Sequence, residues 1–171
     1  SKGEVLFGTN TDGLQIYDSN KRVVREMSFV NWDISLFVGY YNGALKGFNN
    51  DIILPHNFGI ASYDCQTRRL TNIDAHLDKT TLTLHRDDAR KLILAGNMHH
   101  LVAMDRQYKT EILLDLKALG HHATILAIEP CGTGYLLGLN RGIASYDTIS
   151  RQGRIVTTAN IRVNDLITDS T

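Results

Sequence analysis

A hexapeptide that occurs twice constrains this chain more than any other feature of its sequence. The segments 59–64 and 142–147 both read Gly-Ile-Ala-Ser-Tyr-Asp, and weaker copies lie at 13–18 and 100–105. The closing aspartates recur every 41 to 46 residues, as Asp18, Asp64, Asp105 and Asp147. A period of this length, built on short strand-like segments, is typical of β-propeller blades. The sequence therefore predicts an all-β propeller of about four blades, each with four antiparallel strands.

The last complete repeat shows how one blade is built. Apolar or β-branched runs alternate with turns rich in glycine, and they predict strands at 123–129, 135–139, 143–146 and 154–158. Gly142 falls in a tight turn where glycine can supply a positive φ. Two segments leave alternatives open. Residues 112–119 have some helical periodicity, and residues 36–45 look like a strand, a turn and a strand that lie out of phase with the repeat.

The two ends of the chain predict one shared blade within a single domain spanning 1–171. Residues 161–171 resemble the first strand and first turn of a blade, and residues 5–9 resemble a second strand. We therefore expect Val163–Ile167 to pair with Val5–Phe7, which would leave no exposed sheet edge. Two interpretations remain: a small ring closed at four blades, or a segment of a larger propeller.

The composition excludes several classes of partner. Lysine plus arginine equals aspartate plus glutamate at 18 each, so the chain has no net charge to attract nucleic acid. No apolar run approaches the roughly 20 residues of a membrane helix, so contact with a membrane would need segments outside this chain. Cys65 and Cys131 are read as free or buried thiols, and they do not decide the compartment.

The sequence offers no catalytic motif. Gly132-Thr133-Gly134 lacks the third glycine and the helix start of a nucleotide-binding loop, so it is read as a turn. Neither a Gly-x-Ser-x-Gly nor a His-Glu-x-x-His motif occurs. We therefore expect no catalytic residue, no metal site and no cofactor.

The histidines point to one face of the molecule. In an antiparallel meander, the loop that enters the first strand and the turn between the second and third strands lie at the same edge. Six of the seven histidines fall at such positions, and only His85 falls at the opposite edge. Polar surface loops explain this pattern, as does a ligand or partner surface, since imidazole, amide, guanidinium and indole groups all suit recognition. The predicted surface comprises Asn10, Asp12, Trp32, His56, Asn57, His99, His100, His121, His122, Asn140, Arg141 and Arg162.

Residues 3–18, Gly-Glu-Val-Leu-Phe-Gly-Thr-Asn-Thr-Asp-Gly-Leu-Gln-Ile-Tyr-Asp, resemble the two-component regulator propeller repeat, and residues 160–171 are similar to the segment that precedes its core. This sequence lacks the usual tryptophan of the repeat and keeps Gly-Thr only at Gly8-Thr9. The resemblance implies the periplasmic sensor region of a hybrid two-component histidine kinase, which responds to polysaccharide breakdown products and signals through dimerisation. It also implies more blades than four.

These observations favour a non-catalytic sensor or recognition propeller, with an oligosaccharide as ligand and with self-association or a partner protein. The expected location is periplasmic or otherwise extracytoplasmic, and a cytoplasmic location is the alternative. One alternative function is a WD-repeat-like interaction scaffold, although the repeats end in Tyr-Asp rather than Trp-Asp. A second alternative is a propeller lyase or glycosidase, for which only the histidine face offers candidate groups.

Overall fold

The computed structural model describes residues 3–8, 14–26, 42–73 and 80–167, and every regular element in these ranges is a β-strand. The strands are β1 (Glu4–Gly8), β2 (Leu14–Asp18), β3 (Val23–Glu26), β4 (Leu45–Lys46), β5 (Asp51–His56), β6 (Gly59–Asp64), β7 (Leu70–Ile73), β8 (Thr81–Asp87), β9 (Leu92–Asn97), β10 (His100–Met104), β11 (Thr110–Asp115), β12 (Ile125–Cys131), β13 (Gly134–Leu139), β14 (Gly142–Asp147) and β15 (Gln152–Thr157). None of the described residues belongs to a helix that could cross a membrane.

The strands form four antiparallel meanders, which we number as blades 1 to 4. Blade 1 contains β1 to β3, blade 2 β4 to β7, blade 3 β8 to β11 and blade 4 β12 to β15. The predicted all-β class and four-stranded repeat are confirmed for blades 2 to 4, while blade 1 has three strands in the described ranges. The helical alternative at 112–119 is wrong, because β11 pairs with β10 there. Residues 116–120 form a turn, in which the Leu119 and Gly120 N–H groups donate to the carbonyl oxygens of Leu116 and Lys117.

The repeat aspartates close the turn that follows the third strand of each four-stranded blade. In every blade the aspartate Oδ1 accepts hydrogen bonds from backbone N–H groups two to four residues later, at distances of 2.7 to 3.2 Å. Because a carboxylate that accepts such bonds is favoured in its charged form, the pKa of Asp147 falls to about 2, chiefly through the Ser150 N–H. The aspartate that recurs in the sequence therefore marks one hydrogen-bonded turn in each blade. We call this side of the blades the lower edge.

Each capped turn contains a residue with a positive φ. Four non-glycine residues share this left-handed conformation, with φ between 56° and 60°: Arg22, Arg68, Tyr108 and Arg151. Three of them contact the preceding blade. Arg68 pairs with Glu4 at 2.7 Å, the Tyr108 hydroxyl donates to Asp51 Oδ2 at 2.5 Å, and Arg151 pairs with Glu111. The turn geometry therefore directs a polar side chain across each interface between blades.

Apolar side chains fill the three interfaces between neighbouring blades. Leu14 and Ile16 of blade 1 pack with Tyr63 and Leu70 of blade 2. The next interface joins Ile53 and Ile60 to Ile93, Ala95, Val102 and Met104. The third joins Leu94, Leu101 and Leu114 of blade 3 to Ile125, Tyr135 and Leu137 of blade 4. Since inner strands are covered on both faces, they read as continuous apolar runs rather than alternating ones.

A buried polar contact accompanies the third interface. Tyr135 donates its hydroxyl to Asp87 Oδ2 at 2.6 Å, and the Arg90 guanidinium pairs with the same oxygen at 2.8 Å. Burial by itself would raise the pKa of Asp87, but the hydrogen bonds from Tyr135 and from the backbone and side chain of Arg90 outweigh it and hold the pKa at about 2. Burial and the same hydrogen bond raise the pKa of Tyr135.

The segment after β15 lies against blade 4. The Val163 N–H donates to the Leu139 carbonyl at 2.9 Å, and a side chain at Gly138 would collide with Val163. Gly96 of blade 3 receives Ile125 in the same way. Residues 161–167 nevertheless form no ladder with β1 in the described part of the chain, so the pairing expected between Val163–Ile167 and Val5–Phe7 is not present. The sharing of one blade by both ends stays a prediction.

Some sequence-based interpretations fall outside the described residues. They are the out-of-phase stretch at 36–45, apart from its end, and three residues of the predicted surface: Asn10, Asp12 and Trp32.

Replacing Tyr135 with phenylalanine should destabilise the protein. The variant keeps the ring in the blade 3–blade 4 interface but removes a donor from a buried carboxylate, and a hydrogen bond to a charged group is worth about 1.5–3 kcal/mol. We expect a loss of that size in the free energy of unfolding, measured by urea denaturation. Tyr17→Phe, which removes the hydroxyl of a half-buried tyrosine in blade 1, is the control. An equal loss in both variants would contradict this role for Tyr135.

Acid should destabilise the native state through Asp87. Its pKa is about 2 in the folded chain and about 3.9 when unfolded, so its contribution is complete above the unfolded value and is lost as the pH falls toward the folded one. We therefore expect the urea midpoint to drop between about pH 4 and about pH 2. The drop should be shallower in Asp87→Asn, and an identical pH dependence in the two proteins would refute this assignment.

Candidate functional site

The edge opposite the capped turns, which we call the upper edge, is built from two-residue turns. Residues 57–58 join β5 to β6, residues 98–99 join β9 to β10, and residues 140–141 join β13 to β14. Each turn places two side chains at the same level of its blade, because the three hairpins share one register. Gly142 follows the last of these turns with φ +95°, a conformation that favours glycine.

Three histidines meet where blades 3 and 4 adjoin. The ring centroids of His99 and His122 lie 6.0 Å apart, and those of His99 and His100 lie 6.5 Å apart, both pairs in edge-to-face geometry. His99 belongs to the β9–β10 turn, while His122 belongs to the connection that enters β12. Two neighbouring blades thus bring His99, His100 and His122 together.

His121 extends this group toward the next turn. Its Nε2 lies 2.9 Å from the carbonyl oxygen of Arg141. In the same turn Asn140 is fixed by two bonds with Thr124: the Asn140 side-chain oxygen accepts from the Thr124 N–H, and the Asn140 N–H donates to the Thr124 carbonyl. The guanidinium of Arg141 and the ring of His122 remain exposed. We call the surface formed by His99, His100, His121, His122, Asn140 and Arg141 the histidine surface.

The expectation that His56 presents its side chain on this edge is wrong. His56 is fully buried, and its Nδ1 accepts the Phe58 N–H at 3.2 Å, which closes the β5–β6 turn from inside. Asn97 does the same in blade 3, where its Oδ1 accepts the N–H groups of His99 and His100 at 2.9 and 2.7 Å. A polar residue at the last strand position therefore supports the turn instead of contacting a ligand.

Two other residues of the predicted surface are Asn57, in the turn of blade 2, and Arg162, which flanks the 140–141 turn because the Gly142 N–H donates to the Ile161 carbonyl and the Val163 N–H to the Leu139 carbonyl. Asn57 is half-buried in the turn of blade 2, where its carbonyl accepts a bond from Thr80. Arg162 is exposed and pairs with Asn164 at 2.7 Å. His85 lies in β8 opposite Leu94, in the half of blade 3 nearer the lower edge, as the predicted register requires.

Sequence reasoning missed two exposed apolar residues on the upper edge. Phe58 is 47% exposed and Met98 is 44% exposed, and each occupies a two-residue turn. The signal was available for Phe58, because residues 52–59 align without a gap with residues 135–142, and this alignment matches Phe58 to Arg141. Apolar side chains beside amide and guanidinium groups make the edge suited to amphipathic ligands.

The electrostatics of the histidine surface favour the neutral form of His99. Burial lowers the pKa of His99, and the positive charge of Lys117 acts in the same direction, while a backbone hydrogen bond with Ala123 opposes them. His100 Nε2 lies 3.7 Å from Asp115 Oδ1. A neutral imidazole such as that of His99 offers one donor and one acceptor, which suits a hydroxyl-bearing ligand. Within the described ranges, no three histidine, cysteine or acidic side chains are placed to hold a metal ion.

No protein-family model matches the chain, and no curated protein matches its sequence. Solved structures do resemble it. The extracellular domain of the putative hybrid two component system BT4673 from B. thetaiotaomicron superposes on 99% of this chain with a TM-score of 0.75 at 14% identity. The corresponding domain of BT3049 from the same organism superposes on 89% with a TM-score of 0.64 at 12% identity. The chain spans 24% and 22% of the lengths of these two domains.

A designed protein shares the same architecture. The computationally designed Ika8 protein superposes on 99% of this chain with a TM-score of 0.66 at 15% identity, and the match covers 51% of Ika8. The β-propeller domain of Cps50 (Swd1) from Myceliophteria thermophila superposes on 92% of this chain with a TM-score of 0.58 at 8% identity. At such low identities these likenesses establish the fold, and they confirm the predicted β-propeller architecture.

Zinc at millimolar concentration should leave the melting temperature unchanged. A metal that binds only the folded state raises stability by RT ln(1 + [L]/Kd), but no three histidine, cysteine or acidic side chains of the described residues are placed to bind one ion. Thermal denaturation with and without zinc tests this expectation. A concentration-dependent increase that disappears in the double variant His99→Ala, His122→Ala would show that a metal site exists.

Proposed function

We propose that the chain is a non-catalytic recognition propeller from the extracytoplasmic sensor region of a two-component signalling protein. The observation that carries this proposal is the superposition of nearly the whole chain on the extracellular domain of BT4673. The resemblance of residues 3–18 to the two-component regulator propeller repeat supports it from the sequence side. Any kinase activity would belong to regions outside these residues.

We propose that the ligand is an oligosaccharide derived from a polysaccharide and that it binds at the upper edge. What supports this ligand class is the chemistry of the edge. Exposed amide, guanidinium and imidazole groups can exchange hydrogen bonds with sugar hydroxyls, while Phe58 and Met98 offer apolar surface to the C–H face of a sugar ring. The two-residue turns hold these groups on rigid hairpins, so little conformational entropy is lost on binding.

The hydrogen bonding of the repeat aspartates favours a binding role over a catalytic one. The repeat aspartates accept several hydrogen bonds within their own turns, and the pKa values of Asp18 and Asp64 are lowered, mainly by backbone N–H groups. A general acid needs the opposite shift, toward neutral pH. These carboxylates also lie at the lower edge, away from the histidine surface.

The ligand can be identified by screening oligosaccharides of different composition and linkage by calorimetry and thermal denaturation. A ligand present at about a hundred times its Kd should stabilise the folded state by about 2.7 kcal/mol. Arg141→Ala and His122→Ala remove exposed side chains from the histidine surface and should weaken binding at least tenfold without changing the melting temperature of the free protein.

Arg106→Ala is the matched control, because Arg106 is also exposed but follows Asp105 in a lower-edge turn. Binding that is weakened as much by Arg106→Ala as by Arg141→Ala would move the site off the upper edge. If no oligosaccharide stabilises the protein, the proposed ligand class is wrong. Hydrolysis or cleavage of an oligosaccharide by the purified chain would overturn the non-catalytic assignment.

A further inference from the structure

Hydrogen bonds join three connections at the upper edge of blades 3 and 4. The Leu116 N–H donates to the His99 carbonyl at 2.8 Å, which ties the turn after β11 to the turn between β9 and β10. The His121 N–H donates to the Leu116 carbonyl at 2.9 Å. The His121 Nε2 lies 2.9 Å from the Arg141 carbonyl oxygen, in the turn between β13 and β14. The side chains on these connections are therefore held at fixed relative positions.

The same connections carry a local excess of cationic and protonatable groups. They contain Lys117, Arg141 and four histidines but a single acidic residue, Asp115, across the segments 97–100, 115–124 and 139–142. The side chains of Lys117 and Arg141 are exposed. Because the chain as a whole has no net charge, this excess belongs to this part of the surface and not to the protein in general.

The one acidic residue is already engaged. Asp115 Oδ1 accepts the Lys117 N–H at 2.8 Å and lies 3.7 Å from His100 Nε2. The ion pairs among the described residues involve neither the Lys117 ammonium nor the Arg141 guanidinium. After burial, the charge of Lys117 is the next cause that lowers the pKa of His99, so this positive charge acts on the histidine surface itself.

We propose that the ligand of the histidine surface is an acidic oligosaccharide, one whose sugar rings carry carboxylates as uronic acids do. This inference rests on the proposed function and narrows its ligand class. The Arg141 guanidinium has the geometry to hold a carboxylate through two parallel hydrogen bonds, and the Lys117 ammonium supplies a second positive charge. The neighbouring imidazoles exchange hydrogen bonds with the hydroxyls of the same rings.

The apolar residues beside these groups favour a sugar over an acidic peptide. Met98 is 44% exposed in the turn before His99, and Leu119 is 39% exposed in the turn that contains Lys117. A uronic acid ring has an apolar C–H face, a rim of hydroxyls and one carboxylate. Each of these features has a counterpart on this edge, in apolar side chains, in imidazole and amide groups, and in the two cations.

Calorimetry with matched pairs of oligosaccharides tests the proposal. The acidic probes are oligosaccharides from pectin, alginate and hyaluronan, and each partner is the same oligosaccharide with its carboxylates reduced to primary alcohols. Reduction removes the charge and keeps the linkage and the other hydroxyls. We expect at least one acidic probe to bind, and its reduced partner to bind at least about tenfold more weakly. Salt should weaken the binding of the acidic probe alone, because exposed charges are screened.

A pair of lysine variants locates the carboxylate. Lys117→Gln should weaken binding of the acidic probe about fivefold or more and leave binding of its reduced partner unchanged. Lys109→Gln is the matched control, because Lys109 is also an exposed lysine but lies in the lower-edge turn that Asp105 closes. Both side chains are exposed, so both variants should keep the melting temperature of the unmodified chain.

The outcomes separate this inference from the proposed function. If neutral oligosaccharides bind and the acidic ones bind no better, the carboxylate is not recognised, while the oligosaccharide-binding function stands. Equal weakening by Lys117→Gln and Lys109→Gln would overturn the placement at this edge. Binding of poly-L-glutamate as tight as that of the acidic sugars would identify an acidic peptide as the ligand and reject a sugar. If none of the oligosaccharides binds, the inference and the proposed ligand class fail together.

Discussion

The structure depends on one short-range interaction, the bonding of a carboxylate to the backbone N–H groups of the turn that follows it. Asp18, Asp64, Asp105 and Asp147 each close such a turn. The bonds satisfy donors that a tight turn would otherwise leave unpaired, and they stabilise a left-handed residue within or just after them. In three of the four turns that residue also contacts the preceding blade, so the capped turn links the local repeat to the interface between blades.

The two edges of the blades consequently have different roles. The lower edge contains the bonded carboxylates and the polar contacts between blades, and its side chains are largely occupied by the fold. At the upper edge the stabilising groups His56 and Asn97 act from beneath the turns, which leaves the side chains at the turn tips exposed. A scaffold of this kind can change its turn-tip residues without disturbing the interfaces that hold it together.

The sequence predicted the fold well because the repeat is a repeat of local structure. The Gly-Ile-Ala-Ser-Tyr-Asp copies gave the third strand and its capped turn, and antiparallel connectivity then placed His99 and His122 at one edge. Burial was harder to predict, because a histidine at the last position of a strand and one in the adjacent turn differ by a single residue in register. His56 was therefore misplaced as a surface group. Phe58 and Met98 were missed since apolar residues were assigned to the core.

The separation of the apolar side chains into three clusters has a consequence for how the chain loses its structure. Blade 1 is joined to the rest through the cluster around Leu14 and Ile16, whereas blade 3 has a cluster on both of its faces. In repeat proteins whose units contact mainly their neighbours, the stability of each unit depends on those neighbours. Amide hydrogens of blade 1 should therefore exchange with solvent through local opening, while those of blade 3 should exchange only when most of the molecule unfolds.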